Sequence, residues 1–227
     1  MTCDRKIGPF DCCSVVKGDC LELMKQIPDG AVDAVITDPP YGVSLEYDSF
    51  VDTREAVRNL LPRAISEMRR ISKRVLLTCG VSQIYLCPEP DWILCWYCPS
   101  GAALHRWGFG CWQPIMAYGN DAFLAASLGG RSDVIYSVET SEKNGHPCPK
   151  PEELWKKILL RASALEGDTI LDPFMGSGTT AVSAKKLGRH FLGFEISADY
   201  CAIARRRLDE IDAQPSLFAP KPEQLTL

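Results

Sequence analysis

Residues 168–211 alternate strand and helix without a break, and that alternation constrains the fold more than any other feature of the chain. Residues 168–172 (DTILD) form a β-rich run, 173–178 a glycine-bearing turn and 179–187 a helical stretch. Residues 189–195 (RHFLGFE) then predict another strand, and 198–211 another helix. Strands joined through helices pair in parallel, so the expected class is α/β, a central mostly parallel sheet with helices on both faces.

The N-terminal half repeats the pattern. Residues 14–17 predict a strand running through Gly18-Asp19 into a short helix at 21–26. Residues 31–37 (AVDAVIT) predict a second strand, stopped by Asp38-Pro39-Pro40-Tyr41, because paired prolines cannot continue a ladder. The polar stretch 42–52 is expected to be a mobile loop. Residues 53–72 carry Val57, Leu60, Leu61, Ile65, Met68 and Ile71 at helical spacing behind a capping Thr53, with a kink or break expected at Pro62. A strand follows at 73–78.

From 80 to 120 the Trp-, Cys- and Pro-rich sequence predicts antiparallel strands, including 92–97 and 112–118. Residues 121–133 lack a firm pattern, 133–138 predict a strand, 139–151 a loop and 152–163 an amphipathic helix. The expected organisation is one domain over 1–212, with a small recognition region inserted at about 119–146. The proline-bearing 213–227 is expected to be a flexible tail.

No stretch approaches 18 uninterrupted apolar residues, which excludes a transmembrane helix, and no signal sequence is visible at residues 1–10. The expectation is a cytoplasmic protein. Eleven cysteines, an odd number in a chain of 227 residues, read as small buried hydrophobes rather than a disulfide framework. Cys95-x-x-Cys98, with Cys87, His105 and Cys111 nearby, has no second Cys-x-x-Cys, so no metal is expected. A net charge of −4 exerts no global pull on nucleic acid, so any such contact must be local.

Two loops carry chemistry because each follows a strand at its C-terminal end, where open α/β sheets bind ligands. In Asp172-Pro173-Phe174-Met175-Gly176-Ser177-Gly178-Thr179-Thr180 the glycines allow close approach of backbone to a ligand. Glu195 ends the next strand, a position suited to accepting bonds from ribose hydroxyls. No Gly-Lys-Ser/Thr marks a triphosphate loop. In Asp38-Pro39-Pro40-Tyr41 a carboxylate, a proline-fixed carbonyl and a ring converge, able to hold an amino group and stack on a planar heterocycle.

These residues resemble the amino-methyltransferases that use S-adenosylmethionine, with Asp38–Tyr41 matching their catalytic motif and Phe174–Thr180 their cofactor motif. The catalytic motif precedes the cofactor motif, as in the circularly permuted β group of DNA methyltransferases. Gly18-Asp19, 112–120 and 146–151 (HPCPKP) match further segments, so the resemblance spans about 14–211. It implies a Rossmann-like methyltransferase fold and a base flipped out of double-stranded DNA. Asp38 and the Pro39 carbonyl would accept bonds from its exocyclic amine, with Tyr41 stacked on it. The cofactor would be held by Asp38, Asp172, Pro173, Phe174, Gly176, Ser177, Gly178, Thr179 and Glu195, with Asp19 at its adenine and Lys150 near its carboxylate.

Asp at the first motif position favours adenine N6, and cytosine N4 is the runner-up; an RNA substrate and a non-catalytic subunit are further alternatives. Arg106, Arg131 and Lys143 are the expected DNA contacts. The basic clusters at 69–74 and 205–207 are expected to be solvated helix ends, and His146 and His190 to be structural or close to the cofactor. So short a recognition region leaves specificity to a short site, a dimer partner or loops such as 42–52. Gln214-Pro215-Ser216-Leu217-Phe218 is similar to the Gln-x-x-Leu-Phe peptide that docks bacterial proteins on the replication sliding clamp, the competing reading being a tail packed on its own domain.

Overall fold

Alternating burial on short apolar strands builds the frame. The computed structural model describes residues 3–44, 46–47, 50–99, 103–105, 107–138 and 150–213, without the side chains of 46, 47 and 103–105. Among these, eight strands form one sheet: β1 (Ser14–Lys17), β2 (Ala34–Thr37), β3 (Val75–Thr78), β4 (Trp92–Tyr97), β5 (Trp112–Tyr118), β6 (Val134–Tyr136), β7 (Thr169–Asp172) and β8 (His190–Glu195). Their spatial order is β6-β4-β5-β3-β2-β7-β8-β1. Every neighbouring pair is parallel except those made by β5, which is antiparallel to both β3 and β4.

In β2, Val35 faces one layer while Ala34 and Ile36 face the other; Val75 and Leu77 likewise oppose Leu76, and Leu171 opposes Ile170. This period of two on fully buried strands is what a sheet covered on both faces requires. One face carries α1 (Cys20–Met24) and α2 (Arg54–Ile71). The other carries α4 (Glu152–Ala162), α5 (Thr179–Lys186) and α6 (Ala198–Ala213); a short α3 (Ala122–Ala125) precedes β6. Thr53 caps α2 by accepting from the Ala56 N–H at 3.2 Å. Val57, Leu61, Ile65, Met68 and Ile71 are buried along its inner face, each contributing about 1.5–3 kcal/mol on leaving water.

Several expectations change. Pro62 neither breaks nor divides α2; it lies on the exposed face, where solvent can serve the carbonyl deprived of its partner. Within 42–52, Glu46–Tyr47 pairs with Phe50–Val51, and the Asp52 carboxylate accepts the Gly42 and Val43 N–H groups at 2.6 and 3.0 Å, so this segment is folded rather than a plain loop. A 3-10 helix at Val81–Leu86 and a hairpin of Ala103–His105 with Gly108–Gly110 add to the expected antiparallel strands.

Four arginines of the basic clusters act as ties, while Lys73 and Arg206 keep the exposure expected of solvated ends. Arg70 donates to the Met24 and Ile27 carbonyls and pairs with Asp29 and Glu67. Arg74 donates to the Asn120 and Ala162 carbonyls, Arg205 to Val15 and Arg207 to Ser177. No helix among the described residues is long and apolar enough to cross a membrane.

Candidate active site

Five parallel strands end along one edge of the sheet, and each delivers a polar side chain there. In spatial order these are Thr78 at the end of β3, Asp38 after β2, Asp172 at the end of β7, Glu195 at the end of β8 and Asp19 after β1. The topology therefore brings the two loops singled out in the sequence, 134 positions apart from Asp38 to Asp172, onto the adjacent strands β2 and β7. A pocket opens at this edge, lined by Asp19, Asp38–Tyr41, Lys150, Trp155, Asp172–Ser177, Thr179, Glu195 and Tyr200 among others.

Asp38 is the hub of its loop. One carboxylate oxygen accepts the Tyr41 hydroxyl at 2.7 Å and also the Thr78 hydroxyl. The other meets the Lys150 ammonium at 2.5 Å, with Lys150 only 8% exposed and 5.2 Å from the centre of the Tyr41 ring. Burial first, and then the Asp38 charge, hold the Tyr41 phenol far above its ordinary pKa, so it stays a donor. Lys150, expected beside the cofactor's carboxylate, is thus paired with Asp38.

Asp172 is buried at 3% exposure, and desolvation pushes its pKa up to about 7 against the lowering effect of its hydrogen bonds. It accepts Thr37 Oγ1 at 2.6 Å, Thr180 Oγ1 at 2.5 Å and the Phe174 N–H at 3.0 Å. Trp155 Nε1 donates to Thr180 Oγ1 at 2.6 Å and fixes that hydroxyl in turn. Glu195 receives the Gly176 and Ser197 N–H groups, each at 2.8 Å, while burial raises its pKa. Asp19 caps α1 through the Leu21 and Glu22 N–H groups.

The glycine turn has two distinct requirements. Gly178 sits at φ +85°, and a Cβ there would lie 2.8 Å from Ala204 Cβ and 3.1 Å from its Cα, so α5 and α6 could not approach. Gly193, in the neighbouring strand, leaves the room that the Met175 side chain fills under the turn.

Thr37, Thr78, Trp155 and Ser197 belong to the site but were not expected from the sequence, whereas Thr180 falls in the expected cofactor motif. Thr37 and Thr78 close their strands at the ligand-binding edge, which is a usable signal; Trp155 looks like any core position of an amphipathic helix. Arg131 is drawn inward instead of facing DNA: it pairs with Asp121 at 2.8 Å, donates to the Leu160 carbonyl and lies 3.8 Å from the Phe123 ring centre. Arg106, Lys143, His146 and the 214–218 peptide lie outside the described residues. His190 opens β8, at the opposite end of that strand from the pocket.

The comparisons bear on this geometry. A family model described as DNA methylase, for N6 and N4 methyltransferases, matches residues 102–206, which include the glycine turn and Glu195. The DNA adenine methyltransferase YhdJ of Escherichia coli (strain K12) is 26% identical over 243 residues, covering 86% of this chain and 82% of that protein. Over 102–206 the chain is similar to the amino-methyltransferases. The chain shares its fold with the solved PvuII DNA methyltransferase (cytosine-N4-specific), at a TM-score of 0.65 and 16% identity over 91% of this chain and 88% of that one. The M1.HpyAVI–SAM complex superposes with a TM-score of 0.59 at 22% identity, covering 86% and 98%. The fold is therefore the Rossmann-like methyltransferase fold.

The pocket suits the S-adenosylmethionine that the sequence resemblance implies. Four carboxylates, those of Asp19, Asp38, Asp172 and Glu195, face it with a single lysine, an excess of negative charge matched to a net cationic ligand. Phe174, Met175 and Ile196 supply apolar wall between the acids.

Proposed function

We propose that this chain methylates the exocyclic N6 of adenine in double-stranded DNA. The observation that carries the reading is the placement of Asp38 and Asp172 at the ends of adjacent parallel strands, opening on one pocket. S-adenosylmethionine, when bound, supplies an electrophilic methyl group. Asp19, Glu195 and the turn from Phe174 to Thr179, which line the pocket, would hold the cofactor. Asp38 and the Pro39 carbonyl orient the amine of a flipped-out base, Tyr41 packs on the base plane, and Pro40 keeps the loop rigid. That amine would receive the methyl group, and Asp38 would take up the proton the methylated amine sheds. Lys150 exchanges Asp38 for the carboxylate of the ligand, which frees Asp38 for the amine. The relative named as a DNA adenine methyltransferase supports adenine over cytosine.

The hairpin between β4 and β5 supplies the DNA-facing surface in this reading. It springs from the C-terminal end of β4, on the same edge as Asp38, because β4 and β3 run in the same direction. Trp107 is fully exposed and Phe109 is 76% exposed there, side chains suited to wedging against or stacking on bases. Trp107→Ala is expected to raise the KM for DNA about tenfold with kcat little changed, the size of one lost stacking contact. Steady-state kinetics on a duplex checks it, and an unaltered KM removes the hairpin from the interface.

The substrate class is tested with S-adenosylmethionine labelled in its methyl group. Label is expected in duplex DNA and not in folded RNA or protein. Transfer to RNA alone would overturn the reading.

A further inference from the structure

Far from the pocket, four side chains from distant parts of the chain converge: Cys3, Cys12, Cys13 and His190 place their ligand atoms within 4.8 Å of one another. The Cys12 and Cys13 sulfurs are 3.7 Å apart, and Cys13 Sγ is 3.7 Å from His190 Nδ1. A tetrahedral metal with bonds of about 2.3 Å to sulfur and about 2.0 Å to nitrogen has edges of roughly 3.5–3.8 Å, so both distances are close to those of neighbouring ligands on one ion. They are much too long for a disulfide, whose sulfurs sit about 2.05 Å apart.

The backbone is arranged to bring these groups together. Cys13 adopts a left-handed φ of +59°, rare for a side chain with a Cβ, and this twist turns two consecutive thiols toward the same point. Cys3 precedes the hairpin of Lys6–Ile7 with Phe10–Asp11, and Cys12 follows it, its N–H bonded to the Arg5 carbonyl at 2.9 Å. The Cys13 N–H bonds to the Phe191 carbonyl at 2.7 Å, which locks the hairpin to β8 beside His190.

We propose that these four residues form a structural zinc site that clamps the N-terminal hairpin to the start of β8. Three thiolates and one imidazole are the donor set of closed, tetrahedral zinc sites, and four protein ligands leave no position for substrate. The site lies five residues up β8 from Glu195, about 17 Å at the rise of a strand, so its role is to hold the fold rather than to act in the chemistry. What it secures is visible: Ile7 is 2% exposed in the core, and Phe10 meets Phe194 edge to face at 5.1 Å. Zinc binding releases the protons of the three thiols to solvent.

The test is metal analysis of the full chain, purified under thiol reductant without a metal-binding tag and dialysed after exposure to zinc. About one zinc per chain is expected, as four ligands from one polypeptide imply. Cys13→Ser and His190→Ala should each lose it, whereas Cys95→Ser, outside the cluster, should keep it. Cobalt in place of zinc should give the thiolate charge-transfer bands of a tetrahedral site in the unmutated chain and not in Cys3→Ser. Cofactor binding by each variant shows whether it still folds. Folded, reduced protein with substoichiometric zinc, or an intact mass showing a disulfide among these cysteines after purification under reductant, would overturn the assignment.

Discussion

Asp38→Ala is expected to lower methyl transfer by about 10³-fold while cofactor binding survives, the scale of losing one preorganised hydrogen-bonding group in an active site. Asp38 is placed to accept from the amine of the base, and it is the sole carboxylate of the Asp38–Tyr41 motif. The cofactor, by contrast, retains Asp19, Asp172, Glu195 and the glycine turn. The substitution also strands the Lys150 ammonium, only 8% exposed, so a moderate fall in melting temperature accompanies it. Calorimetry for binding and single-turnover kinetics for transfer separate these effects. Equal losses of affinity and rate would assign Asp38 to cofactor binding alone.

Acidification from pH 7.5 to 5.5 is expected to weaken S-adenosylmethionine binding and, in the free protein, to strengthen the fold at Asp172. Its carboxyl has a pKa of about 7 in the fold, raised by burial from 3.8. The folded chain therefore holds a proton that the unfolded chain has already lost. The resulting stability is fully present below about pH 4 and is lost as pH rises to about 7, a cost on the order of 4 kcal/mol when complete. A cationic ligand favours the ionised form, so its binding expels this proton. Below the pKa of about 7, affinity is expected to fall by up to tenfold per pH unit. S-adenosylhomocysteine, with no sulfonium, should show a much flatter dependence. Asp172→Asn should abolish the difference between the two ligands and leave a fold at least as stable at pH 8, since it removes a charge held at a cost. An unchanged pH profile in that variant would place the proton elsewhere.

The sheet was legible because period-two burial and strand-helix alternation are local properties. The ends of β2 and β7 could be placed to within a few residues from Pro39-Pro40 and the glycine turn. The site was legible only where a side chain declares its own chemistry. Thr37 and Thr180 matter because they are brought to Asp172, and neither advertises that role in its own segment. Arg131 looked free because a cation in an irregular stretch usually is; Asp121, ten positions earlier, captures it once α3 forms. Pro62 looked like a helix breaker because sequence shows the missing donor and not the solvent beside it. The cysteine cluster was the least accessible, since Cys13 and His190 are 177 positions apart and meet only through β8.

The most direct test of the account is nucleoside mass spectrometry on mixed-sequence duplex DNA, incubated with S-adenosylmethionine and either the unmutated chain or Asp38→Ala. The account predicts N6-methyladenine from the unmutated chain and essentially none from the variant. N4-methylcytosine in its place would contradict the assigned base, and N6-methyladenine made equally well by Asp38→Ala would contradict the mechanism.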